Sequence, residues 1–175
     1  MASITLPISI SGVNSLSDEQ FESTFANVIE LWPYAAKEVK GKRPFQNVPA
    51  LCEAFQTYLE HITLEDKLTI LKLHPDLAGR LAARGELTAE SAGEQRAAGL
   101  EGLTPEQKKI MDESNQRYKA KFDFPFIICA RENKVQSIIE GLQHRYSNNR
   151  EQEITTGINE VKKICKLRIL DIVKN

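Results

Sequence analysis

The spacing of apolar residues predicts helices along most of the chain. Over 21–32, 51–59 and 64–74, apolar side chains recur every three or four positions, which places them on one face of a helix. Ser17 and Thr104 each precede a glutamine by three residues, and this spacing predicts capping boxes at two helix starts. We therefore expect a chain built mainly from amphipathic helices.

The pattern changes at "FDFPFIICAR", residues 122–131. This stretch is aromatic and β-branched with Pro125 in its middle, so it predicts a buried extended segment rather than a helix. Helical spacing returns over 132–146 and 150–173. Together the patterns predict an all-α fold, a single compact multi-helix domain of about eight to ten helices with one short extended segment.

Composition narrows the class of protein without naming a reaction. The 175 residues are enough for one domain with its own core. Net charge is −1 and charged residues make up 27%, a balance that predicts no binding to nucleic acid or to an anionic membrane. No apolar run has the length of a membrane span.

The cysteines and the chain termini indicate a reducing compartment. Cys52, Cys129 and Cys165 are far apart, without the spacing of a zinc site or a disulfide framework. They are predicted to be small core residues. The first residues carry no signal-peptide pattern, and the last three, Val173–Asn175, are not a peroxisomal tripeptide. The cytoplasm is the expected location.

His74 ends a helical run in "LKLHPDLAGR" and is followed at once by Pro75. A protonated imidazole at a helix C-terminus is stabilised by the helix dipole, so a simple helix-end role accounts for it. Pro75, however, restricts the backbone of His74 to extended geometry, and a fixed histidine suits acid–base chemistry. Spacing alone leaves both interpretations open. His61 and His144 have polar neighbours and are predicted to be surface or helix-end residues.

A polar cluster lies in "TAESAGEQ". Ser91, Glu94 and Gln95 stand at i, i+3 and i+4, which places them on one helix face. The first interpretation is a solvated polar face near a helix start, where carboxylates suit the dipole. The second is a donor, an acid and an acceptor directed at one polar ligand.

Arg168 interrupts the apolar stripe of the last helix. That stripe includes Ile158, Val161 and Cys165, and its spacing predicts an apolar residue at position 168. A guanidinium on an apolar face must reach solvent, pair with a carboxylate or point into a polar pocket. A structural ion pair and a binding role both remain open.

Four sequence blocks follow one another in the chain. In order, they are "LHPDLAGR", "LTAESAGEQRAAGL", "NQRYKAKFDFPFIICAR" and "EVKKICKLRILDIV". With these blocks in this order, the chain resembles the 2-oxo-4-hydroxy-4-carboxy-5-ureidoimidazoline (OHCU) decarboxylases of urate breakdown. The resemblance covers the chain from Leu16 to Ile172. It implies a variable N-terminal extension over 1–15 and a helical domain over 16–175.

The resemblance implies an enzyme that converts OHCU to (S)-allantoin and CO2, after urate oxidase and hydroxyisourate hydrolase have acted. It implies a homodimer, a small ureido-imidazoline substrate and no metal or organic cofactor. The catalytic residues carried over by motif are His74, Glu94 and Arg168. The substrate-binding residues carried over are Pro75, Ser91, Gln95, Phe126, Ile127 and Ile128, with backbone amides of the Phe-Pro-Phe-Ile segment donating to the ligand.

Two other classes of function stay open. A non-catalytic helical module that binds a ureide or a nucleobase-like ligand predicts thermal stabilisation by the ligand without turnover. A structural adaptor predicts that His74, Glu94 and Arg168 are separately dispensable.

Overall fold

The computed structural model describes residues 4–174, and the chain divides into two compact units. The first unit contains the residues up to Leu64 together with those from Lys162 onward, and the second is Glu65–Val161. Two parts of the chain lie outside the described residues. These are Met1–Ser3, at the start of the predicted extension, and Asn175, the last of the three residues compared with a peroxisomal signal.

The all-α prediction is confirmed, since residues 4–174 form ten α-helices and one two-stranded sheet. In chain order the elements are β1 (Ile8–Ser9), α1 (Ile10–Ser15), α2 (Asp18–Thr24), α3 (Tyr34–Val39), α4 (Val48–His61), α5 (Leu64–Leu73), α6 (Arg80–Ala83), α7 (Ala89–Ala97), α8 (Pro105–Phe122), α9 (Val135–Arg145), α10 (Arg150–Ile172) and β2 (Val173–Lys174). Short 3-10 helices cover Lys40–Lys42, Leu100–Gly102 and Ala130–Glu132.

The small sheet of the first unit pairs an early segment with a late one. β1 runs parallel to β2, with Ile8 opposite Val173 and Ser9 opposite Lys174. Strands of two residues are too short to show an alternating pattern, so sequence analysis did not predict them. Residues 8–15 of the predicted extension thus form a strand and a helix of this unit.

The first predicted helix is shorter than its apolar pattern suggests. It begins at the predicted Ser17 capping box, which is confirmed, but α2 ends at Thr24. Farther on, Asn27 Oδ1 accepts the Leu31 N–H at 2.8 Å, and Leu31 has a left-handed φ of 54°. An asparagine side chain that binds nearby backbone competes with helix geometry. The apolar residues beyond Thr24 therefore reach the core from turns.

The second unit contains the loop that carries His74. α5 ends at Leu73, and the loop over 74–79 leads to α6. A Cβ atom at Gly79 would lie 2.6 Å from Asp76 Cβ, so the close approach within this loop requires glycine. α8 begins at the predicted Thr104 capping box.

The extended segment is shorter than the predicted 122–131, because Phe122 ends α8 and Ala130 begins a 3-10 helix. Between them, Phe124–Cys129 has no regular secondary structure, as predicted for the middle of the stretch. α9 and α10 lie within the two helical stretches predicted after it, and α8 packs against α9. No helix within residues 4–174 combines the length and the apolar character needed to cross a bilayer.

Candidate active site in the second unit

His74 lies at the junction between α5 and the loop that follows it. Its ring Nδ1 is 2.8 Å from the Ile70 carbonyl oxygen, and its backbone N–H donates to the Leu71 carbonyl at 3.3 Å. Because a carbonyl oxygen only accepts, Nδ1 carries the proton and Nε2 is the basic nitrogen of the neutral ring. His74 is 8% exposed. The last turn of α5 thus selects both the tautomer and the orientation of the imidazole.

Side chains of α7 and α8 hold the loop after α5 by its backbone. Gln95 Oε1 accepts the Ala78 N–H at 2.9 Å. Asn115 donates to the Leu77 carbonyl at 3.0 Å, and Lys108 donates to the Ala78 carbonyl at 2.9 Å. Ala78 has a left-handed φ of 51°, which is unfavourable for a residue with a Cβ atom. The three bonds offset this strain and keep the loop in one conformation.

A cleft of about 830 Å³ opens beside His74 and Pro75. Its walls come from the loop, from α8 and from the start of the extended segment at Phe124 and Pro125. Charges of both signs surround it, in the pairs Lys72–Asp123, Lys108–Asp112 and Lys119–Asp76. The volume is that of a small-molecule site.

Ser91 and Glu94 lie on α7, whose N-cap is Thr88. Thr88 Oγ1 accepts the Ser91 N–H at 3.2 Å; Ser91 is buried and Glu94 is half-buried. α7 packs against the 3-10 helix that follows Cys129. Burial raises the pKa of the Cys129 thiol to about 11, and nearby carboxylates, Glu94 among them, add to this effect. The polar face of α7 therefore lies near the end of the extended segment.

The side chains of the three predicted binding residues in the extended segment differ in how far solvent reaches them. Phe126 is 2% exposed, and its ring meets the Tyr118 ring edge-on with centroids 5.5 Å apart. Ile127 is buried, and its carbonyl accepts from Arg145 at 2.6 Å. Ile128 is partly exposed. Of the three side chains, only that of Ile128 reaches solvent, and the cleft beside His74 is lined by none of them.

Arg168 belongs to the first unit. Its Nη1 donates to Glu30 Oε1 at 3.0 Å and to the Asn27 carbonyl at 2.9 Å. Arg168 and Glu30 are 3% and 2% exposed, so this is a buried ion pair. The carboxylate partner that an arginine on an apolar face requires is therefore present. A role for Arg168 toward a substrate stays a prediction.

The other predicted site residues all belong to the second unit. The side chains that hold the backbone around them were not predicted from the sequence. Asn115 could have been identified from the sequence as a buried polar residue, because it interrupts an apolar face formed by Met111 and Tyr118. Arg145 likewise follows Leu142 on the apolar face of α9. Lys108 could not have been identified in this way, since an exposed lysine on a helix is ordinary.

The fold and the cleft define a class of protein: a helical protein with a cleft of small-molecule size beside an oriented histidine. Within the described residues, no group of three or more His, Cys, Asp or Glu side chains could hold a metal ion. The chain belongs to the OHCU decarboxylase family, whose family model matches residues 14–170. The resemblance drawn from the four sequence blocks is thereby confirmed.

Individual relatives cover nearly the whole chain. It is 44% identical over 163 residues to the 2-oxo-4-hydroxy-4-carboxy-5-ureidoimidazoline decarboxylase of Xenopus laevis, covering 93% of each protein. The enzyme of that name from Amia calva is also 44% identical, over 162 residues and 93% of each protein. The human relative, named as a putative decarboxylase of this kind, is 36% identical over 94% of this chain and 95% of its own length.

Two solved structures share the fold. A crystal structure of (S)-allantoin synthase aligns with a TM-score of 0.78 and 19% identity, over 96% of this chain and 54% of that one. A crystal structure of OHCU decarboxylase in the presence of (S)-allantoin aligns with a TM-score of 0.66 and 23% identity, over 89% and 96%. At these identities the two alignments establish the fold.

Proposed function

We propose that this chain decarboxylates OHCU to (S)-allantoin and CO2 in urate degradation. The observation that carries the proposal is the bond from His74 Nδ1 to the Ile70 carbonyl, because it leaves Nε2 as the basic nitrogen of a histidine that lines a cleft of substrate size. Family membership supports the same reaction, since the relatives from Xenopus laevis and Amia calva carry the name of this decarboxylase.

The chemistry of the substrate explains why no cofactor is needed. One ring carbon of OHCU carries both a hydroxyl and the carboxylate, and it adjoins a ring C=N. When the bond to CO2 breaks, its electron pair forms a C=C bond to the ureido-bearing carbon of that C=N, the ring nitrogen takes up a proton, and an enol remains. The enol then becomes a ketone as a proton is added to the ureido-bearing carbon. That proton sets the stereochemistry of the product, so its donor must act from one face.

In this scheme His74 Nε2 is the general base or acid near the ring hydroxyl, and Pro75 limits its movement. Glu94 orients His74 or accepts from substrate N–H groups. Ser91 pairs with ureido and ring groups, and so does Gln95 through Nε2, whose bond to the Asp76 carbonyl is long, at 3.4 Å. The family role carried over to Arg168 is to hold a ring carbonyl or stabilise developing negative charge.

The first experiment measures turnover. Purified protein is added to urate with urate oxidase and hydroxyisourate hydrolase, and the formation of optically active allantoin is followed. The chain should accelerate it, without added metal or organic cofactor. His74→Ala should lower the rate about a hundredfold or more, because acid–base catalysis contributes effects of that size. The helical circular dichroism spectrum should not change.

His144→Ala is the matched control, since His144 is an exposed histidine in the last turn of α9. It should turn over like the unmodified chain. Full activity of His74→Ala would contradict the assignment of the base. Thermal stabilisation by allantoin without any turnover would instead favour a ureide-binding module.

We further infer a homodimer in the cytoplasm. The dimer is carried over from the family, and the three cysteines, all free and buried, suit a reducing compartment. Light scattering after size-exclusion chromatography should give twice the chain mass of 19.7 kDa, and cell fractionation tests the location. Physical association with urate oxidase or hydroxyisourate hydrolase is not required, because the substrate is a small diffusible molecule.

A further inference from the structure

A buried carboxylate lies behind the extended segment. Glu153, in the first turn of α10, is 0% exposed. Its Oε1 accepts from Arg145 Nε at 2.8 Å and from the Tyr118 hydroxyl at 2.5 Å. Its Oε2 accepts from Asn148 Nδ2 at 3.0 Å. Three donors from three different parts of the second unit thus converge on one acid.

Arg145 joins this cluster to the extended segment. Its Nη1 donates to the Ile127 carbonyl at 2.6 Å, and its guanidinium carbon lies 4.4 Å from the centroid of the Phe126 ring. Its Nη2 has no hydrogen-bond partner within residues 4–174. One planar side chain therefore contacts the carboxylate, a backbone carbonyl and an aromatic face, and the rigid fork of arginine fixes the geometry of these contacts more closely than a lysine ammonium would.

The far end of the segment is held in the same way. Glu160 Oε1 accepts the Cys129 N–H at 3.1 Å, and Asn133 donates to the Cys129 carbonyl at 2.9 Å. The N–H and C=O of a trans peptide point in opposite directions, and the peptides on either side of Ile128 are trans. Because Arg145 binds the Ile127 carbonyl, the Ile128 N–H points away from Arg145, and because Glu160 binds the Cys129 N–H, the Ile128 carbonyl points away from Glu160.

Stability alone does not account for this arrangement. A buried ion pair often contributes no more than an apolar pair of similar volume would. What the ion pair adds here is a fixed position for the peptide between Ile127 and Ile128. A displacement of about 1 Å in a group that positions a substrate lowers turnover by roughly a hundredfold. A rigidly held peptide at this position therefore affects the rate of the reaction.

We propose that Arg145 and Glu153 are positioning residues of the decarboxylation site, which fix the Ile128 amide where it meets the substrate. The proposal rests on the proposed function and extends it to two side chains that contact no substrate themselves. Tyr118 supports them by donating to the same carboxylate oxygen as Arg145.

Arg145→Lys tests the proposal. The lysine keeps a positive charge beside Glu153 but replaces the planar fork by a single ammonium, so it does not hold the carboxylate and the Ile127 carbonyl in the same geometry. We expect a melting temperature within a few degrees of the unmodified chain and a KM about tenfold higher, because a small shift of the Ile128 amide costs less than the roughly hundredfold loss from a displacement of about 1 Å. The pH profile of turnover should not change, because His74 is untouched. Exchange of the Ile128 and Cys129 amides with deuterium should be faster in the free protein.

Tyr118→Phe is the second variant, because it keeps the ring packing and removes one donor to Glu153. We expect a smaller rise in KM than in Arg145→Lys. Leu142→Ala is the matched control, since Leu142 is buried in the same helix as Arg145 but is no part of the hydrogen-bonded cluster. It should lower the melting temperature and leave the KM of the folded enzyme unchanged.

The results distinguish a failure of the positioning role of Arg145 from a failure of the proposed decarboxylase function. An unmodified chain that turns over, together with an Arg145→Lys variant of unchanged KM, overturns the positioning role and leaves the proposed function standing. Equal KM rises in Arg145→Lys and Leu142→Ala also overturn it, since general loosening of α9 would then suffice. An unmodified chain without turnover overturns the proposed function and, with it, the positioning role.

Discussion

His74 is held by the last turn of its own helix, through a carbonyl four residues earlier. His61 forms the same kind of bond, from Nδ1 to the Thr57 carbonyl at 2.9 Å, yet it is exposed. The bond is therefore available to any histidine at a helix end. What distinguishes His74 is its burial beside a cleft and the rigid Pro75 that follows it.

Arg168, like His74, has both a structural and a catalytic interpretation, here an ion pair with Glu30 and a contact with the substrate. Removing its side chain leaves the buried Glu30 carboxylate without its cation, which destabilises proteins by about 3–5 kcal/mol. We expect Arg168→Met to lower the free energy of unfolding by that amount in urea titrations. Arg168→Met combined with Glu30→Leu should recover most of the loss, because an apolar pair can replace a buried ion pair at little cost.

Turnover then separates the roles of Arg168. If it acts on the substrate, as the family resemblance implies, the double variant is stable and still inactive. A stable double variant with normal turnover would show that Arg168 serves only its ion pair with Glu30.

At the scale of elements, α8 supports the candidate site. Lys108, Asn115 and Lys119 lie along one side of it, and they bind the loop after α5 through two backbone carbonyls and the Asp76 carboxylate. Side chains at such spacings share a helix face. The position of the His74 loop therefore depends on where α8 begins and how firmly it is formed.

The start of α8 can be weakened without touching that face. Thr104 Oγ1 accepts the Gln107 N–H at 3.1 Å, and Gln107 Oε1 accepts the Thr104 N–H at 3.0 Å. Thr104→Ala removes this cap and should lower the free energy of unfolding by about 0.5–2 kcal/mol. The KM should stay the same well below the melting temperature, because the three supporting side chains remain.

Thr69→Ala is the corresponding control. Thr69 is exposed within α5, where its hydroxyl donates to the Glu65 carbonyl, and alanine is the better helix former at such a position. Its unfolding free energy should not fall. An equal loss in both variants would contradict the role of the Thr104 cap.

At the scale of the whole molecule, several acids are buried in their protonated form. Burial is the largest cause that raises the pKa of the Cys129 thiol, from an ordinary 9.0 to about 11. It also raises the pKa of the Cys165 thiol and of the Tyr118 phenol, the latter helped by the bond to Glu153. The folded chain therefore keeps protons that the unfolded chain releases in alkaline solution.

This difference predicts alkaline instability. Below pH 9.0, the ordinary thiol value, both states are protonated and these groups contribute fully to stability. Above it the unfolded state binds fewer protons, so the free energy of unfolding falls as the pH rises. Each group contributes up to about 1.4 kcal/mol per pH unit. Denaturant titrations from pH 7 to pH 11 should show a plateau and then a decline.

Cys129→Ala removes one of these groups. The decline between pH 9 and pH 11 should be shallower in this variant, since Cys129 titrates in the folded chain only near the upper end of that range. Stability that stays constant up to pH 11 would contradict the assignment of these groups as buried and protonated.

Most of the helices and several of their starts were predictable from the sequence, because they depend on neighbours within one or two turns, but α1 was not predicted. The capping boxes at Ser17 and Thr104 join residues three apart, and apolar spacing located α9 and α10 closely. Where a local contact contradicted the pattern, as when Asn27 binds the Leu31 amide, the helix prediction extended too far. The candidate residues were also found locally, as a histidine before proline and an arginine on an apolar face.

Only the tertiary structure decided what those residues contact. Gln95 and Ala78 are 17 residues apart in the chain, and Arg168 and Glu30 are 138 apart. The hydrogen bonds that hold the His74 loop and the extended segment come from side chains whose residue types are common on helices. A sequence shows which residues are polar, but the partner of a buried polar group depends on how distant segments pack. The sequence by itself therefore determined the helices and the candidate chemistry, and folding decided how the backbone around them is held.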